Sequence, residues 1–447
     1  LAAMVSSLSM AAGCAAERLA AMVSSLSMAA GCAAEEATGD TAGDEESATT
    51  DDITSSANLT EVKRQSIGNC WLYAVASWTE ALEKGATQSG ENYSESYWTF
   101  WHWFEQLANG YSVGTEISTG GSYMTAAGLI DRYGVMAEKD FIPEEAASEM
   151  SSRQSSALNA MNAWIKGGGL TAAGAPKKGT VEYRGYILKQ LEKAWGLSTT
   201  RTDALHRVFG VNVTRTVDKS FASRKPGYQV LRAKDVFAAI PDVTQSKAAG
   251  KVVINPKLTL QDAIGSGSGY YRSGTHAWTE VNLPYQSGER RAFYQKVQRS
   301  LHDGVPVVSS WFVDFNALTS DSHFSKKFLE TKGPGRQGGH MTLVTDYTAK
   351  TSDGKTYAAG QDVTDKAVLA QLLDAKTEIL SIRMKNSWGA NRPDRWQQAQ
   401  MPGFHDLDAD YLNGPLKRCK EVNGTSDPKQ CSDDTGMQDI VVSPVYR

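Results

Sequence analysis

Residues Gln65–Leu82 read QSIGNCWLYAVASWTEAL. Trp71, Val75, Trp78 and Leu82 recur at helical spacing, which predicts an amphipathic helix with one apolar face. The turn before it, Gly68-Asn69, leaves Cys70 at the helix start. Unpaired amide N–H groups and the macrodipole at a helix N-terminus favour an anion. A thiol placed there is expected to lose its proton more readily and to be nucleophilic. A buried structural cysteine is the alternative, because free Cys is among the most buried residue types. Cys70 is one of five cysteines, and no other lies between Cys32 and Cys419.

Two distant segments favour the nucleophile. Gln337–Tyr347 reads QGGHMTLVTDY, with His340 opening an apolar strand, and Ile382–Gly389 reads IRMKNSWG, with Asn386 and Trp388 at the end of another. A cysteine nucleophile needs a base, usually His, and a third group that orients the base. Cys70, His340 and Asn386 supply these in the order Cys, His, Asn. On these residues, and on N-S-W-G above all, the chain resembles the papain-like cysteine peptidases. The resemblance implies that Asn386 orients the imidazole, that Trp388 shields the pair, and that Gln65 joins the Cys70 amide in an oxyanion hole. That glutamine stands six residues before the cysteine in the family and five before it here. His102 and the other histidines read as ordinary core or surface residues.

Further motifs narrow the resemblance. Asn92–Leu107, NYSESYWTFWHWFEQL, carries aromatics on every face and predicts a buried helix. Ser118–Met136 holds Gly120-Gly121, where a peptide backbone could approach closely, and then an apolar helix ending at Gly134. The resemblance makes Gly120 and Gly121 substrate-binding residues. The pattern S-x-S-Y-x-x-F-W, the Gly-Gly pair, and Y-G-V followed by F-I-P-E-E are similar to bleomycin hydrolase and aminopeptidase C. Papain-type chains place His and Asn about 130–150 residues after Cys, whereas His340 lies 270 residues beyond Cys70. A largely helical insertion over about 144–290 would fill the difference, with helices at Ser156–Ile165 and Val181–Trp195. Ala292–Asn316 reads as a helix, a turn at Gly304 and a buried strand.

The flanks differ in kind. Leu1–Glu17 is repeated residue for residue in Leu19–Glu35, and each copy ends in M-A-A-G-C. The segment 1–35 resembles a bacterial lipoprotein signal, with Cys14 or Cys32 as the lipidated residue, although Ala stands where the motif usually has Leu. Its apolar run is too short to span a membrane. Residues 36–60 are rich in Asp, Glu, Ser and Thr and read as an acidic flexible linker. Residues 61–415 would be the peptidase domain and 416–447 a tail. With Cys14, Cys32 and Cys70 assigned, Cys419 and Cys431 remain to pair as a disulfide, which suits an exported protein of the cell envelope or a secreted one. The closing run I-V-V-S-P-V reads as an edge strand stopped by Pro444, which would keep the tail out of a cleft.

Composition sets the outer bounds. The chain has 447 residues, 41% of them hydrophobic, and a formal charge of −4. That gives ample core and no reason to invoke nucleic acid. No His/Cys cluster has metal-ligand spacing, and no cofactor is implied. The expected fold is α+β and papain-like: a helical lobe built on the Cys70 helix, and an antiparallel, barrel-like sheet lobe carrying His340 and Asn386. The expected activity is hydrolysis of peptides or proteins, as an endopeptidase. An aminopeptidase of bleomycin-hydrolase type and a catalytically silent peptide-binding protein are the alternatives.

Overall fold

The computed structural model describes residues 58–109, 116–218, 229–268, 271–390, 401–422 and 425–447. The duplicated segment 1–35 with Cys14 and Cys32, and residues 36–57 of the acidic stretch, lie outside the described residues. Asn58–Thr60 belong to the folded body: Leu59 packs on the core and Thr60 Oγ1 donates to Glu80 at 2.6 Å. Among the described residues no helix is long and apolar enough to cross a membrane.

Helices dominate the first part of the chain and strands the last. Helix α1 (Cys70–Thr87) buries Trp71, Val75, Trp78 and Leu82, the face its spacing marks out. Helix α2 (Glu95–Ala108) is capped by Ser94, whose Oγ accepts from the Tyr97 amide. Its Trp98, Phe100, Trp101, Trp103 and Phe104 are all fully buried, as an all-round aromatic helix must be. Helix α3 (Tyr123–Tyr133) returns beside it and stacks Tyr133 on Trp101 at 4.1 Å. The stretch read as an insertion holds α4 (Ser152–Lys166), α5 (Val181–Trp195) and α6 (Thr199–Phe209). Trp195 of α5 packs on Phe100 and Trp103 of α2, which joins these helices to the same core.

The main sheet uses β1 (Thr279–Asn282), β2 (Val307–Asp314), β3 (His323–Phe324), β4 (Gln337–Lys350), β5 (Glu378–Lys385), β6 (Phe404–Asp408) and, last in the chain, β9 (Met437–Val442). Strands β7 (Leu416–Val422) and β8 (Thr425–Asp434) form a separate hairpin. The sheet order is β1-β9-β2-β4-β5-β6-β3, with a short strand, Thr356–Tyr357, added to β4. The order is open rather than barrel-like among the described strands, and β3 runs parallel to β6. Helix α7 (Arg290–His302) feeds through a turn into β2, as Ala292–Asn316 predicts.

The tail departs from its reading in two ways. Strand β9 is interior, hydrogen-bonded to β1 on one side and β2 on the other. Pro444 does not prevent this, because the strand ends at Val442 and the proline opens a short 3-10 turn capped by Ser443. Nor is the tail remote from the cleft, since Gln438 and Asp439 stand in a cavity wall described below. Cys419 and Cys431 face each other across the β7–β8 hairpin and are disulfide-bonded.

A buried charge cluster knits the helices together. Lys63 Nζ lies 2.8 Å from Glu95, 3.5 Å from Glu138 and 3.9 Å from Glu80. Burial alone would favour a neutral amine, but the carboxylates of Glu95, Glu80 and Glu138 outweigh it and hold the ammonium above its ordinary range. Nearby Lys385 Nζ donates to Ser77 and Thr60 Oγ atoms, and burial brings its pKa down to about 8 despite Glu80. Removing one partner of a buried pair strands the others, at about 3–5 kcal/mol. Lys63→Met is therefore expected to lower the unfolding free energy by about that amount, read from the shift of the urea midpoint. A change under about 1 kcal/mol would show that the carboxylates find other partners.

Candidate active site

Helix α1 points its first residue at strand β4. Cys70 is half-buried, and the backbone amides of Met341, Trp71 and Cys70 itself approach its sulfur. These amides pull the thiol pKa down, as the helix start implies, but burial prevails and pushes it up to about 11. The expectation of a readily ionised thiol is reversed for this reason. Low-dielectric surroundings disfavour the thiolate more than three amide dipoles stabilise it.

His340 sits three residues into β4 and is buried between two indoles. Trp388 stacks on its ring at 4.9 Å with 16° between planes, and Trp311 of β2 meets it edge-on at 5.4 Å. Asn386 follows β5 directly. Its Oδ1 lies 2.7 Å from His340 Nε2 and accepts from the Ser387 amide at 2.7 Å. A backbone N–H can only donate, so this atom is the amide oxygen and the imidazole must present Nε2–H to it. A neutral ring then carries its lone pair on Nδ1. The other side of the amide is held as well: Asn386 Nδ2 donates to His405 Nδ1 at 3.4 Å. The sequence leaves His405 on β6 among the ordinary histidines, because nothing local marks a histidine that acts on a neighbouring strand.

The segment after Asn386 is held by the chain before Cys70. Gln65 N donates to Ser387 O at 2.9 Å, and Gly389 N donates to Lys63 O at 3.1 Å. Gly389 has φ +84°, and a Cβ there would meet Glu149 Oε1 at 2.5 Å, so the last residue of N-S-W-G must be glycine. Gln65 Oε1 accepts from Ser387 Oγ at 2.5 Å, while its Nε2 donates to Ile67 O at 2.8 Å. With one residue fewer before Cys70, one amide hydrogen thus serves the connecting turn. Gln65 is not on the cavity wall.

One cavity of about 400 Å³ brings Cys70, His340, Gly120 and Gly121 together. Trp71 Nε1 donates to Thr119 O at 2.9 Å and so fastens the Gly-Gly loop to the helix start. A Cβ on Gly121 would strike the Trp71 ring at 2.5 Å, whereas one on Gly120 would meet only Ser118 Oγ at 3.9 Å. Gly121 therefore lets the loop lie against the tryptophan, and Gly120 leaves room in the cavity. His102 supports this loop from below. It lies 4.9 Å from Trp71, and burial lowers its pKa to about 4. The facing wall includes Ser310, Trp311 and Phe312 of β2 together with Arg418, Gln438 and Asp439. Asn386 and Trp388 stand behind His340 rather than on the wall.

No family model and no curated protein matches the chain. Solved structures similar to it include pepW from Lactobacillus rhamnosis (TM-score 0.39, 11% identity, covering 90% of this chain and 83% of that one). Xylellain, a cysteine protease from Xylella fastidiosa, has a TM-score of 0.34 at 12% identity, covering 88% and 86%. SERA5E from Plasmodium falciparum has 0.34 at 13%, covering 90% and 92%. At these scores the likeness lends no weight to a reading of fold or activity.

The raised thiol pKa has a direct kinetic consequence. Only the thiolate reacts, so its fraction grows about tenfold per pH unit below the pKa. Carbamidomethylation of Cys70 by iodoacetamide is expected to accelerate steadily from pH 7 to beyond pH 9. A rate already on a plateau at pH 7 would show that the resting site holds a thiolate paired with imidazolium.

Proposed function

We propose that the chain is a papain-like cysteine peptidase, close to the bleomycin hydrolase and aminopeptidase C branch, that hydrolyses peptide bonds through Cys70, His340 and Asn386. One observation carries the reading. Cys70 and His340 open on the same cavity, and the imidazole is fixed through Nε2 by an asparagine oxygen whose orientation the Ser387 amide dictates. A histidine pinned in this tautomer offers Nδ1 as a base. Nothing about a structural cysteine requires such a partner.

The chemistry follows from the charges. Cys70 rests as a thiol, and Nδ1 of His340 takes its proton as the sulfur attacks the carbonyl carbon of the peptide bond. Asn386 and the stacked Trp388 hold the ring and keep water from the Nε2 side. The developing oxyanion receives the Cys70 amide, and Gln65, which stands off the cavity wall with its Nε2 on Ile67 O, adds a second donor only by turning toward it. His340 then protonates the leaving amine, and water hydrolyses the thioester. Gly120 and Gly121 offer their main chain to the substrate backbone. The Cys419–Cys431 disulfide supports export, and the lipid anchor on Cys14 or Cys32 belongs to the same proposal.

Endopeptidase action is favoured by the path of the tail. Its last residues turn away from the cavity: Tyr446 is buried with its hydroxyl on Asp303 at 2.9 Å, and its carbonyl accepts from Lys296. A cleft that these residues leave open admits chain on both sides of the cut bond. Cys70→Ala is expected to abolish peptide hydrolysis while leaving thermal unfolding nearly unchanged. The wild type is expected to cleave an N-acetylated peptide as fast as its free-amine twin. Near-wild-type turnover in Cys70→Ala would sink the peptidase reading, and strict dependence on the free amine would make the enzyme an aminopeptidase.

A further inference from the structure

The wall opposite the Gly-Gly loop carries an unbalanced charge. Asp439 lies on β9 opposite Ser310 of β2, and both line the cavity shared by Cys70 and His340. Ser310 hydrogen-bonds the Asp439 carboxylate, yet its Oδ1 is shut off from solvent with no hydrogen-bond partner. A like charge feels it: burial and then Asp439 raise the pKa of Glu280 on β1, while burial raises that of Asp439 itself. The cavity does have a cation, Arg418, but its guanidinium is bonded to Asp434 at 2.9 Å and lies over the Phe312 ring. Among the described residues no ion pair reaches Asp439. A buried carboxylate oxygen with no donor is costly, and a like-charged neighbour adds to the cost. Asp439 as a whole is half-buried, so a cation entering the cavity would meet the open part of the carboxylate and offset the like charge.

We propose that Asp439 receives a cationic group of the peptide substrate, so that this chain prefers peptides bearing an ammonium or guanidinium near the bond that is cut. The proposal rests on the peptidase reading above. The cation has two sources, a Lys or Arg side chain or a free α-amino group, and both present the same charged N–H donors to the carboxylate. Neutral residues at that subsite would leave the carboxylate without a counter-charge in the complex, which is where the discrimination arises.

The test uses the full chain and internally quenched peptides. One series is N-acetylated, with a single Lys moved through each position of a neutral parent. A second replaces that Lys by norleucine, which has similar bulk and no charge. A third is the neutral parent with a free amine. One cationic peptide is expected to exceed its neutral twin by about tenfold or more in kcat/KM, and Asp439→Asn is expected to bring that ratio near one. An advantage confined to the Lys series assigns the side chain. One confined to the free-amine peptide assigns the amino terminus. Equal rates within all pairs, or an advantage that survives in folded Asp439→Asn, would overturn the proposal. Failure to cleave any peptide would count against the peptidase reading alone. In that event calorimetric binding of the Lys and norleucine peptides to Cys70→Ala decides the matter, and equal affinities overturn the proposal.

Discussion

A single lysine spans the join on which the site is built. Lys63 reaches carboxylates on α1, α2 and the turn at Glu138 with its ammonium, while its own carbonyl accepts the amide of Gly389. The side chain ties two helices and this turn together, and the main chain beside it orders N-S-W-G. Removing an ammonium and three carboxylates from water costs several kcal/mol per ion unless their mutual attraction is well arranged. Such a cluster is tolerant of few geometries. It sets the distance between the helix that supplies Cys70 and the strand end that supplies Asn386. Lys385, one residue before Asn386, enters the same polar layer through Ser77 and Thr60.

Much of this was legible in the sequence, and the reasons are local. The α1 face follows from Trp71, Val75, Trp78 and Leu82. The aromatics of α2 leave no side to expose. Helix α5 matches the predicted Val181–Trp195 at both ends, with Thr180 capping its start and Gly196 its finish. His340 and Asn386 stood out because each sits where an apolar strand meets polar residues. The charge cluster did not, since Lys63, Glu80, Glu95 and Glu138 are the residue types that normally face water. Only the tertiary fold brings them together. His405 was missed for the same reason, and so was Asp439, because a carboxylate in an apolar strand announces neither its neighbours nor its missing donor.

Two readings failed because a correct local rule met a stronger non-local one. A helix start does favour thiolate, and three amides do approach Cys70, but the sequence carries no measure of how thoroughly strand β4 and the indoles exclude water. A proline does bar a strand from the sheet interior, but only if it falls within the paired residues, and β9 stops two residues short of Pro444. The mistake concerned a boundary rather than a propensity. It mattered because an interior β9 brings Gln438 and Asp439 to the cavity.

The position of β9 also has a consequence in time. Strands β1 and β2 are not bonded to each other; they meet only through β9, which is translated after every other strand of the sheet. A ribosome releases a chain from its N-terminus onward, so helices α1 to α6 have on the order of ten to fifty seconds to collapse before that strand exists. Only at the end of that interval are Cys70, His340 and Asn386 all present, and the cavity then still lacks the wall formed by Gln438 and Asp439. The order of synthesis thus completes this cavity wall later than any other strand of the sheet.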